Sequence, residues 1–69
     1  MSYLSNLRNN ATNFQVAEFM NAEKRSYPYG MSLGQFSQKV RNAMKFKDMT
    51  LSEAVTYSQA SSGSFNNPH

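Results

Sequence analysis

The stretch Ser32–Ser58, "SLGQFSQKVRNAMKFKDMTLSEAVTYS", holds two helix starts and the corner between them. Ser32 is followed three residues on by Gln35, and Thr50 by Glu53. Each pair is a capping box, in which the hydroxyl accepts from the third backbone N–H and the longer side chain accepts from the cap N–H. Behind the first box, Leu33, Phe36, Val40, Ala43 and Met44 recur at helical spacing. Behind the second, Leu51, Ala54, Val55 and Ser58 make an inner stripe. The short turn from Phe46 to Met49 is expected to be sealed by those two side chains. Two amphipathic helices in succession, with no convincing alternating run elsewhere, predict an all-α fold: a small bundle of three to four short helices.

Toward the N terminus the pattern divides. Leu4, Leu7, Ala11 and Phe14 follow one helical stripe, and Val16, Phe19 and Met20 a second, rotated one. One long helix buried on two sides would carry both; so would a chain broken near Asn9-Asn10, since Asn favours caps over helix interiors. Thr12 with Gln15 is a third capping box, opening a helix expected to reach about Arg25. Pro28 and Gly30 mark a connection. After Ser58 the chain turns polar, with Phe65 the one apolar exception. The expected organisation is an arm or short helix over 1–12, a compact helical domain over 13–60, and a short helix or flexible tail over 61–69.

Sixty-nine residues allow one small core. There is no cysteine to staple it, no long apolar run and no secretory pattern, so a soluble cytoplasmic protein without membrane insertion is expected. Catalysis is hard to build. The single histidine is His69, Glu18 and Glu23 diverge on a helix, and Gly30–Gly34 lacks the spacing and lysine of a phosphate-binding loop. No enzyme activity, metal site, cofactor or small-molecule substrate is expected.

Charge is more informative. The net charge is +3, and six of the seven Lys and Arg lie from Lys24 to Lys47, a window without Asp or Glu. Such a segment suits a polyanion or an acidic protein surface. Arg41 and Lys45 share one flank of the second helix, and Lys39 takes the other.

Residues 36–67 resemble, without gaps, the helix-turn-helix of the repressor family typified by lambda repressor and Cro. Phe36, Val40, Arg41 and Ala43 stand where that family has a first helix with apolar anchors and an arginine. Met49-Thr50 opens the next helix, and Glu53, Ala54 and Val55 follow at its acidic and buried positions. Gln59, Ala60 and Ser61 occupy the turn and the cap of the recognition helix, with Gln59 in place of the usual glycine, and Phe65 falls at its anchor. The resemblance implies a DNA-binding transcription regulator. Ser62, Ser64, Asn66 and Asn67 would face the bases, with Ser61 at the cap also on the nucleic-acid side, while Arg41, Lys45 and Lys47 hold phosphates of duplex DNA.

A different class of function is a small helical adaptor or inhibitor that docks on a larger protein. Five Met and nine aromatic residues are generous for so small a core. Val16, Phe19, Met20, Tyr27 and Tyr29 are the candidates for such contacts, with burial the simpler expectation for each. A structural subunit of an assembly, including a homo-oligomer, and an accessory protein of phage type complete the alternatives.

Overall fold

Three capped helices dominate the computed structural model, which describes residues 3–28 and 30–65, with side chains through residue 60. A 3-10 turn at Tyr3–Asn6 leads to α1 (Asn13–Ala22), α2 (Leu33–Phe46) and α3 (Leu51–Phe65). No strand occurs among the described residues, so the fold is a small all-α bundle.

Every helix begins at its capping box. The Gln15 N–H donates to Thr12 Oγ1 at 3.1 Å, and the Thr12 N–H to Gln15 Oε1 at 2.9 Å. Ser32 with Gln35 closes the same pair of bonds at 3.3 and 3.0 Å, and Thr50 with Glu53 at 3.3 and 3.0 Å. Each box satisfies two donors that the first helical turn leaves without a carbonyl.

α1 ends at Ala22, three residues short of the expected Arg25. The cause is a left-handed residue, Lys24, at φ 56°. The Lys24 N–H donates to Asn21 O at 3.1 Å and the Arg25 N–H to Met20 O at 2.9 Å. This is a Schellman closure, which normally places glycine at the left-handed position. α2 stops in a related way: its last residue is Phe46, and Asp48 adopts φ 54°. Asp tolerates that conformation better than Lys.

The chain is broken before α1. Asn9 has φ 74°, which separates the 3-10 turn from the helix and resets its rotation. Leu4 and Ala11 are buried and Leu7 packs beside them. Phe14, expected on the same stripe, is instead 74% exposed in the first turn of α1. The N-terminal segment docks on the α2–α3 corner. The Leu51 N–H donates to Leu7 O at 2.9 Å, supplying a further partner at the start of α3. The Arg8 guanidinium donates to Asp48 O at 3.2 Å and lies 3.5 Å from its carboxylate. Both side chains are largely exposed, so the ion pair adds little.

The core draws on every helix. Val16, Phe19 and Met20 meet Phe36, Val40, Ala43 and Met44, with Leu51, Ala54 and Val55 from α3. Tyr27 packs edge-on against Phe36 with 5.6 Å between ring centroids. Met49 packs against the core as expected, but Phe46 does not seal the corner: it is 74% exposed. Ser37 and Ser58 are fully buried, and neither hydroxyl has a hydrogen-bond partner among the described residues.

α3 is continuous from Leu51 to Phe65. The turn expected at Gln59-Ala60, and with it a separate recognition helix from Ser61, is absent. Gln59 explains the difference. A left-handed turn would strain this side chain, and in the helix it has good partners. Its amide donates to Ser26 O at 2.9 Å, and its Oε1 accepts from Arg25 at 3.0 Å.

Candidate nucleic-acid interface

The basic window separates into two kinds of residue. Its arginines are structural ties. Arg41 Nη1 donates to Ala11 O at 3.0 Å and to Asn13 Oδ1 at 2.7 Å, while Nη2 lies 3.4 Å from Gln38 Oε1. It fastens the start of α1 to the middle of α2, so the phosphate-gripping role expected of it competes with this duty. Arg25 bonds Thr56 Oγ1 at 3.0 Å as well as Gln59, and its guanidinium carbon lies 5.6 Å from the Phe19 ring centroid. A planar guanidinium with five donors suits such multiple attachment, and a lysine does not.

The lysines are different. Among the described residues, no ion pair involves Lys24, Lys39, Lys45 or Lys47. Lys45 and Lys47 are exposed, and Lys39 is half-buried on the opposite flank of α2. Two adjoining grooves gather three of these lysines. The larger, of about 530 Å³, is lined by Asn9, Asn10, Gln38, Arg41, Asn42, Lys45 and Phe46. The smaller, of about 260 Å³, is bounded by Lys39, Asn42, Ala43, Phe46, Lys47 and Tyr57. Asn42 and Phe46 line both, and neither lining includes an Asp or Glu.

Two exposed aromatic rings belong to this face. The Lys45 ammonium lies 5.7 Å from the Phe46 ring centroid, and the Lys47 ammonium 5.3 Å from that of Tyr57. Tyr57 is 41% exposed. The face therefore combines positive charge, amide hydrogen-bonding groups and flat apolar surface. Phe46 and Tyr57 are absent from the sequence-based candidates. Phe46 reads as a corner seal, but it is the last residue of α2, two positions beyond Met44, and the helical rotation places it off the buried stripe and in solvent.

The remaining sequence candidates separate clearly. Ser61, Ser62 and Ser64 fall in the last turns of α3, while Asn66 and Asn67 lie outside the described residues. Val16, Phe19 and Met20 are buried and form the core, which removes them as a docking surface. Tyr27 is half-buried against Phe36, and Tyr29 lies outside the described residues. No helix among the described residues is long and apolar enough to cross a membrane. The chain matches no protein-family model, no curated protein and no solved structure.

Proposed function

We propose that this is a non-enzymatic DNA-binding regulator that holds the sugar–phosphate backbone on the basic face of α2. The observation that carries the reading is the gathering of Lys39, Lys45 and Lys47 around two grooves whose linings contain no acidic side chain. Lysines without carboxylate partners are available to phosphates, and neutralising phosphates releases condensed counterions. Binding of this kind is independent of base sequence and weakens steeply as salt rises. Asn42 and Gln38, beside the lysines, supply neutral N–H donors to the same backbone. A separate recognition helix has no part in this reading, because α3 runs unbroken through the residues that would have formed the turn.

Fluorescence anisotropy of a labelled duplex tests the proposal. The combined Lys39→Ala, Lys45→Ala and Lys47→Ala variant should bind about tenfold or more weakly at about 50 mM salt. Unchanged affinity, with the helical circular dichroism intact, would remove this face as the DNA site.

A further inference from the structure

We infer that the same face takes unpaired bases, so that single-stranded DNA is its preferred ligand over duplex. This rests on the backbone-binding reading and names the form of nucleic acid that the site fits.

Charge alone would serve either form. The aromatic rings separate them. Phe46 is 74% exposed at the end of α2, where it lines both grooves, and Tyr57 faces the smaller one from α3. An exposed phenyl ring forgoes the stabilisation that burial would give it. Bases in a duplex are already stacked on one another and present only their edges, so these rings have nothing flat to meet there. An unpaired base offers a π-face of any sequence, and stacking platforms set beside cationic grooves are the general solution for single strands.

The placement of the lysines agrees with this. Each aromatic ring has an ammonium group over it, within 6 Å of its centroid: Lys45 over Phe46 and Lys47 over Tyr57, so a base stacking on that face takes the ammonium's place there. A base stacked on either ring brings its own phosphate into the reach of the neighbouring lysine. The pairing repeats on two elements, so successive nucleotides can meet a ring and a charge in turn. Asn42, shared by both grooves, lies between and can bond a base edge or a sugar oxygen.

The test compares a labelled oligothymidylate with a duplex of equal length, in the same low-salt buffer. The unmodified protein should bind the single strand more tightly. Phe46→Leu keeps an apolar side chain but removes the flat ring, and should weaken single-strand binding about fivefold or more and duplex binding by a smaller factor. Phe46→Tyr keeps the ring and should retain the preference. Equal or tighter duplex binding by the unmodified protein, or a Phe46→Leu variant that keeps the unmodified protein's ratio of single-strand to duplex affinity, would overturn the inference. In either case the lysine variant still judges the backbone reading separately: duplex affinity that falls when the lysines are removed sustains it. Failure to bind either probe at low salt would overturn both.

Discussion

Removing the Arg41 side chain should unfold this protein more readily without touching its hydrophobic core. The guanidinium joins Ala11 O, Asn13 Oδ1 and Gln38 Oε1 at 3.0, 2.7 and 3.4 Å. Hydrogen bonds from a charged donor are each worth about 1.5–3 kcal/mol when the partner is left unsatisfied. Here the third is long, two of the bonds are exposed, and water replaces part of what is lost. The Ala11 carbonyl belongs to a buried residue and is the partner least able to find water. A net loss of about 2 kcal/mol for Arg41→Ala follows, dominated by that carbonyl. In a domain of this size it corresponds to a fall in Tm of about 8–16 °C. Urea unfolding followed by circular dichroism should show a lower midpoint with an unchanged slope. Arg41→Lys should lose about half as much, because an ammonium cannot span the same partners. Arg41→Ala and Asn13→Ala should couple by about 0.5 kcal/mol or more in a double-mutant cycle. A change below about 0.5 kcal/mol for Arg41→Ala, the size expected of an unattached surface residue, would refute the tie.

Other substitutions probe separate features. Ser37→Ala and Ser58→Ala each delete a buried hydroxyl without a partner and raise helix propensity, so each should stabilise by about 0.5–1 kcal/mol; a loss in urea midpoint would mean the hydroxyl has a partner after all. Lys24→Gly relieves a left-handed side chain at the end of α1 and should raise Tm by a few degrees, from a gain of about 0.5–1 kcal/mol. Gln59→Gly should destabilise by about 1 kcal/mol or more, since it places glycine inside a continuous helix and removes the bonds to Arg25 and Ser26. A stabilising Gln59→Gly would instead indicate a left-handed turn at that position.

The helices are legible in the sequence because their starts are chemical. Three hydroxyl–carboxamide or hydroxyl–carboxylate pairs at a fixed spacing mark Thr12, Ser32 and Thr50 as caps, and all three close both bonds. The inner stripe of α3 is equally plain, since Leu51, Ala54, Val55 and Ser58 are all buried. Helix ends are harder to see. The turn after α2 is expected from Phe46 and the helix does end there, whereas Lys24 takes a left-handed position without being glycine, so the sequence carries no sign that α1 stops at Ala22. The candidate face is only partly legible. Lys45 and Lys47 are evident as charge, but Phe46 reads as an apolar seal for the corner, although the rotation of α2 carries it off the buried stripe that ends at Met44. Gln59 misleads for the opposite reason. A family resemblance places it at a turn, whereas long-range bonds to Arg25 and Ser26 hold it in a helix, and contacts 33 and 34 residues apart leave no local pattern.

The most direct measurement of the central claim is the salt dependence of DNA affinity, taken as the slope of log affinity against log salt. If Lys39, Lys45 and Lys47 each neutralise a phosphate, replacing each with alanine should reduce the slope for duplex DNA by about 0.9. Lys24→Ala, which alters a lysine outside both grooves, should leave the slope where it was. Equal slopes for the groove-lysine variants and the unmodified protein would contradict the account.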